Sequence, residues 1–184
     1  MATDYSPAPA LRQIQSERLN LIASTRDLIK KDIEGSEFLA AALGVAVPES
    51  WPPSLYGPNA MRFALLQLDD PAEQGWSFWY LVTAGEPGQL AGICGFKGRP
   101  DESGSVEIGY SVVESFQRQG LATEAVARLV GWAFSHHNVN EVCAETFPYL
   151  SQSIRVLEKN GFEFTGTGSE AGVVRYAVKR TSLK

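Results

Sequence analysis

Residues Ser115 to Ala125 read SFQRQGLATEA, a polar run that passes through a single glycine into an apolar helix. No proline or acidic cap stands at the join. The first N–H groups of a helix lack intrahelical acceptors, and with the helix dipole they favour a bound anion. Gly120 lets backbone approach a phosphate with no Cβ in the way, Ala122 keeps the next turn open, and Arg118 adds a cation. The stretch therefore predicts an anion site around Arg118 to Ala122. It is not a P-loop, because neither G-x-x-x-x-G-K-[ST] nor G-x-G-x-x-G occurs.

Other reactive side chains are sparse. His136 and His137 resemble an acid–base pair, but they fall at the far end of the same helix, roughly 24 Å from its start at about 1.5 Å per residue. A cation at a helix C-terminus is the better reading. Cys94 and Cys143 sit in strand-like apolar runs without metal-ligand spacing. They read as reduced core residues of a cytoplasmic protein, and no metal site is expected.

The elements that must position this turn follow from periodicity. Residues 1–15 look like a flexible N-terminal arm, and 16–184 like one domain. Arg18 to Ile22 alternates as a strand, and Ser24 to Asp27 matches a capping box ahead of a helix with Leu28, Ile29 and Ile33 on its apolar face. Ser36 can cap a second short helix that Gly44 stops. Val47 to Pro58 carries four prolines with Trp51, Leu55 and Tyr56, which reads as a stiff loop pinned by its aromatics or as one wall of a substrate cleft. A helix over Asn59–Leu68 and strands over Trp76–Ala84, Gln89–Lys97 and Ser105–Val113 come next. The helix from Gly120 to about His136 has a wide apolar face, and a strand (Glu141–Phe147), a helix (Gln152–Asn160) and two strands (Phe162–Thr165, Val173–Lys179) complete the chain. The order is an α/β (α+β) arrangement, a mixed sheet flanked by helices.

At 184 residues the chain fits a single domain. Its net charge of −5 and pI of about 5.1 argue against a non-specific nucleic-acid or anionic-membrane partner. The N-terminus lacks the apolar core of a signal peptide, and no apolar run approaches the roughly 20 residues of a membrane span.

Gln117 to Ala122 resembles the [QR]-x-x-G-x-[GA] pyrophosphate signature of the GNAT N-acetyltransferases. Glu107-Ile108-Gly109-Tyr110 before it, Ser153 to Phe162 after it, and Ser16-Glu17-Arg18-Leu19 are similar to the ribosomal-protein alanine N-acetyltransferase (RimJ/RimL type) branch. The resemblance implies a GNAT fold, a mostly antiparallel sheet of about seven strands with four to five helices. It implies acetyl-CoA in a V-shaped opening beside the strand ending at Val113, with no metal. The backbone of Val112 and Val113 would hold the pantetheine arm. Gln117, Arg118, Gln119, Gly120, Leu121, Ala122 and Thr123 would hold the pyrophosphate, with Ser153 as a further contact. The Val112 N–H would stabilise the oxyanion, and Glu107 would act as a base through water or order the site. Trp51 and Tyr110 are candidates for the acceptor side, with a core role favoured for Tyr110.

Two departures stand out. The tyrosine that protonates the leaving thiolate in many members is Leu157 here, as is common in this branch, and an asparagine that often binds CoA is Leu150, leaving Ser151 or Ser153 to substitute. The expected activity is acetyl-CoA-dependent transfer to a primary amine, either a protein N-terminus or a small molecule, by direct attack in a ternary complex. The alternatives are a non-catalytic acyl-CoA-binding sensor and a transferase for a longer acyl group. Partners are then a CoA thioester and an amine, with the chain a monomer or a homodimer.

Overall fold

Short runs of apolar residues, separated by glycine- and proline-rich turns, form strands β1 (Gln13–Gln15), β2 (Leu19–Ala23), β3 (Phe78–Thr83), β4 (Leu90–Phe96), β5 (Ser105–Val112), β6 (Glu141–Thr146), β7 (Glu163–Thr167) and β8 (Val174–Lys179). Runs of helical period form α1 (Arg26–Glu34), α2 (Ser36–Leu43), α3 (Pro58–Gln67), α4 (Leu121–Phe134) and α5 (Ser151–Lys159). The structure is a computed structural model that describes residues 11–182. No helix among the described residues is long and apolar enough to cross a membrane.

All strands join one 8-stranded sheet in the order β1-β2-β3-β4-β5-β6-β8-β7. Every pair is antiparallel except β5–β6, where α4 provides the crossover that parallel neighbours require. That parallel ladder is brief, pairing Ser105, Val106 and Glu107 with Glu141, Val142 and Cys143. Beyond it β5 stays with β4 as far as Val112, while β6 stays with β8 as far as Thr146. The sheet therefore splits past Glu107 and Cys143.

Each face carries its own core. On one, Val106, Ile108 and Val112 pack with Leu121, Ala125 and Leu129 of α4 and Leu157 of α5. On the other, Ile22, Phe78 and Tyr80 pack with Leu28, Ile29, Leu39 and Met61 of α1–α3. No residue of β6, β7 or β8 joins this second core, so α1–α3 cover only the N-terminal half of that face.

Several expectations are corrected. Of the anticipated arm, residues 1–10 lie outside the described residues, but Gln13–Gln15 pairs with β2 and adds an eighth strand. The cap of α1 is Thr25, whose hydroxyl accepts from the Leu28 N–H at 3.2 Å, not Ser24. Ser24 is still held by the sheet through its N–H to the Phe78 carbonyl, and its buried hydroxyl has no partner among the described residues. Ile33 is 51% exposed and leaves the apolar face of α1. Gly35, not Ser36, precedes α2 as its cap, while Gly44 ends that helix in the left-handed conformation.

Candidate active site

The turn into α4 has the features its sequence predicts. Gly120 caps the helix at φ 82° with no side-chain hydrogen bond. Arg118 is also left-handed, at φ 60°, a conformation that costs a non-glycine residue on the order of 1 kcal/mol. The first helical bond runs from the Glu124 N–H to the Gly120 carbonyl. Among the described residues, the N–H groups from Arg118 to Thr123 have no protein acceptor. The glutamines hold the loop itself: Gln117 Nε2 donates to the Val112 carbonyl at 2.9 Å, and Gln119 Nε2 to the Ser115 carbonyl at 3.0 Å. Leu121 is buried beneath the turn, whereas Arg118 and Gly120 are exposed.

Two residues whose roles sequence reasoning missed brace this turn. Arg18, just before β2, donates through Nε to Glu124 and through Nη1 to the Gln119 carbonyl, both at 2.7 Å. Asn160, at the end of α5, donates from Nδ2 to the Thr123 carbonyl at 3.2 Å. Burial pushes the Glu124 pKa up, but hydrogen bonds from Ser16 and Arg18 and the Arg18 charge bring it below the usual glutamate value. The available signal was the co-occurrence of the S-E-R-L and K-N-G-F segments with the glycine turn.

Backbone alternation decides what β5 offers to the split. The Lys97 N–H donates to the Glu107 carbonyl, and the Val113 N–H to the Ala91 carbonyl, so odd-numbered residues bond toward β4. The N–H and carbonyl of Tyr110 and the N–H of Val112 therefore face the opening, while the Val112 carbonyl is already taken by Gln117 Nε2. Val113 does not: its carbonyl also accepts, from Phe116 at 2.9 Å. Of the expected pair, Val112 faces the opening and Val113 does not; Tyr110, one strand period before Val112, faces it as well.

Side chains alternate likewise. Glu107, Gly109 and Ser111 share the face left open beyond α1–α3. Glu107 forms an ion pair with Lys97. Gly109 is exposed, and a Cβ there would meet nothing within 4 Å. Two loops are tied down beside this floor. The Ser54 carbonyl accepts from the Ser111 hydroxyl, and Glu145 accepts from the Ser169 N–H at 2.9 Å and hydroxyl at 2.6 Å. The Ser169 hydroxyl bond holds the Glu145 pKa down; burial opposes it, and the Ser169 N–H, Lys97 and Arg175 reinforce it. Cys143, at the root of the split, is free and buried, with a pKa pushed up by burial. Cys94 is likewise free and buried.

Trp51 is not an exposed wall. It is 8% exposed, and its indole N–H donates to Asp32 at 2.7 Å. The hydroxyls of Tyr56 and Tyr80 reach the same carboxylate at 2.9 and 3.1 Å. Burial raises the Asp32 pKa, against the three hydrogen bonds that lower it. The loop is thus pinned from below, and it is Leu55, 91% exposed at φ 68°, that stands out from it.

Tyr110 lies on the face covered by α4 and α5, in the core role favoured for it. Its hydroxyl meets the Ser153 carbonyl at 2.9 Å and the Ser153 hydroxyl at 3.0 Å, bridging β5 to α5. Burial pushes its pKa up to about 12. Leu157 is fully buried in the same core, and Leu150 precedes α5 without a side-chain cap. His136 packs against Trp76 and Trp132, with Nδ1 2.9 Å from the Trp132 carbonyl, beyond the far end of α4 from the turn. No group of three or more metal-ligating side chains occurs among the described residues.

The chain is 31% identical over 120 residues to the uncharacterized N-acetyltransferase YjdG of Bacillus subtilis (strain 168), covering 65% of this chain and 71% of that protein. It is 29% identical over 105 residues to the uncharacterized N-acetyltransferase p20 of Bacillus licheniformis, covering 57% and 59% respectively, less than two thirds of that relative. The fold superposes on RimL, a ribosomal L7/L12 α-N-protein acetyltransferase solved with coenzyme A, with a TM-score of 0.65 at 18% identity, over 91% of this chain and 98% of that one. The acetyltransferase (GNAT) domain family matches residues 36–163, well over half the chain. The chain belongs to the GNAT acetyltransferase family.

Proposed function

We propose that the protein is an acetyl-CoA-dependent N-acetyltransferase of the cytoplasm that acts on a primary amine in a ternary complex, in the manner of the protein N-terminal acetyltransferases. The observation that carries this reading is the row of N–H groups from Arg118 to Thr123 without acceptors, beside the split between β5 and β6. A diphosphate fits that row: it supplies acceptors for the amides and a negative charge for the helix dipole. Acetyl-CoA supplies an activated acetyl thioester. The backbone of Tyr110 and Val112 orients the extended arm as an added strand would, with the Val112 N–H directed at the developing oxyanion.

The amine enters from the face of Glu107, Gly109 and Ser111, where Gly109 leaves room. An α-amino group, with a pKa near 8, loses its proton more readily than a lysine. Glu107 takes that proton through water or orders the site; Lys97 pairs with its Oε1 and leaves Oε2 available. Ser153 and Tyr110 form the opposite wall of the opening.

Calorimetry with coenzyme A on the wild type and Gly120→Glu, followed by thiol release from acetyl-CoA across peptides and small amines, tests this. The variant places bulk and negative charge against the diphosphate and is expected to abolish binding. Wild-type affinity in the variant removes the turn from the cofactor site. A sensor role is the second reading, favoured by the buried Leu157 where many relatives have an acidic hydroxyl. Binding without thiol release on any amine is the result it requires.

A further inference from the structure

Arg18 precedes β2 by one residue, far from α4 in sequence, yet it grips the first turn of that helix by three bonds. Its backbone N–H donates to Glu124 Oε1 at 2.8 Å, its Nε to Glu124 Oε2 at 2.7 Å, and its Nη1 to the Gln119 carbonyl at 2.7 Å. Its Nη2 lies 3.3 Å from the place a Cβ on Gly120 would occupy. The guanidinium thus clasps the peptide that joins Gln119 to Gly120.

A trans peptide is planar, so its carbonyl and the following N–H point in opposite directions. Drawing the Gln119 carbonyl toward Arg18 therefore turns the Gly120 N–H away, into the row of amides without acceptors. The flanking left-handed residues, Arg118 and Gly120, need such an anchor, since their conformation is not held by helix bonds. Charge matters too. Glu124 sits within the first turn of α4, where a carboxylate would repel a nearby anion, and Arg18 neutralises it by direct contact.

We infer that Arg18 is a positioning residue for the diphosphate of CoA, acting through the Gln119–Gly120 peptide and through Glu124. This rests on the CoA-binding reading above.

The test compares acetyl-CoA with acetyl-pantetheine, which lacks the diphosphate, on the wild type, Arg18→Gln and Arg18→Lys, with calorimetry of CoA alongside. Arg18→Gln is expected to raise the CoA Kd and the acetyl-CoA KM about ten-fold or more, leaving kcat nearly constant. Its kcat/KM for acetyl-pantetheine stays at the wild-type value. Arg18→Lys, which keeps the charge but loses the planar fork, recovers only part of the affinity. In amide spectra, the shift of the Gly120 N–H on adding CoA shrinks in Arg18→Gln. An equal loss with both donors reveals general damage to the fold and overturns the inference, as does full recovery by lysine or an unchanged KM. If the wild type itself fails to bind CoA, the cofactor reading falls, and that outcome is visible before any variant is compared.

Discussion

The Ser111 hydroxyl donates to the Ser54 carbonyl at 2.5 Å, joining the strand that lines the split to the proline-rich loop above it. Ser111 shares its face with Glu107 and Gly109, the proposed acceptor face, so the loop is fastened there at one end, while Asp32 fastens it from beneath. Ser111→Ala frees the Ser54 end alone. The expected outcome is a rise of about three- to ten-fold in the acceptor KM, equivalent to one hydrogen bond, with the CoA Kd unchanged. Steady-state kinetics with the acceptor varied, plus calorimetry, checks both halves.

Trp51→Phe leaves Asp32 with two donors and is expected to cost about 1–3 kcal/mol in denaturant unfolding. Trp51→Ala also empties a buried site and costs about 3–5 kcal/mol. Both should raise the acceptor KM and spare acetyl-CoA binding. Unchanged acceptor kinetics in Trp51→Ala would separate this loop from the acceptor side.

Gly109 and Gly95 face each other across β4 and β5 and make a contrasting pair. A Cβ on Gly95 would lie 2.2 Å from Phe78 Cα, so Gly95→Ala must displace backbone and should lower Tm sharply. A Cβ on Gly109 meets nothing within 4 Å, so Gly109→Ala should fold normally. Its side chain enters the acceptor face, and kcat/KM is expected to fall while Tm stays level.

The Ser169 bonds to Glu145 carry a pH signature. A carboxyl whose pKa is lowered by folding contributes stability above its unfolded value of about 4.5, and that contribution disappears as pH falls through the folded value. Asp32 has the opposite sign, because burial raises its pKa: its share favours the fold in acid and is lost as pH rises through the carboxylate range. The Tm advantage of the wild type over Glu145→Gln should therefore be full near neutrality and shrink below pH 4.5. A constant difference across that range would show that Glu145 is not the titrating group.

The sequence revealed the parts of the site that are local. The glycine turn, the uncapped start of α4 and the strand before it are consecutive residues, and their patterns survive folding nearly intact. Residues joined only by the fold were not legible. Arg18 meets Glu124 across 106 positions, and although the S-E-R-L segment occurs together with the glycine turn, no spacing in either one specifies this contact. The same holds for Asp32 with Tyr80, and for Ser54 with Ser111. That Val113 bonds toward β4 while Val112 faces the opening depends on pairing register with β4, which no local pattern carries. Thr25 replaced Ser24 as a cap because sheet pairing extends one residue past the apparent end of the strand.

Among the described residues, the backbone pairing between the two halves of the sheet is the short ladder at Ser105–Glu107 and Glu141–Cys143. The first turn of α4 is gripped by Arg18 from one half and by Asn160, at the end of α5, from the other. That turn ties the two halves together. On the proposed reading a diphosphate seated there bonds to a turn braced from both halves, and hydrogen exchange is expected to slow at β2 and α5 in the same titration.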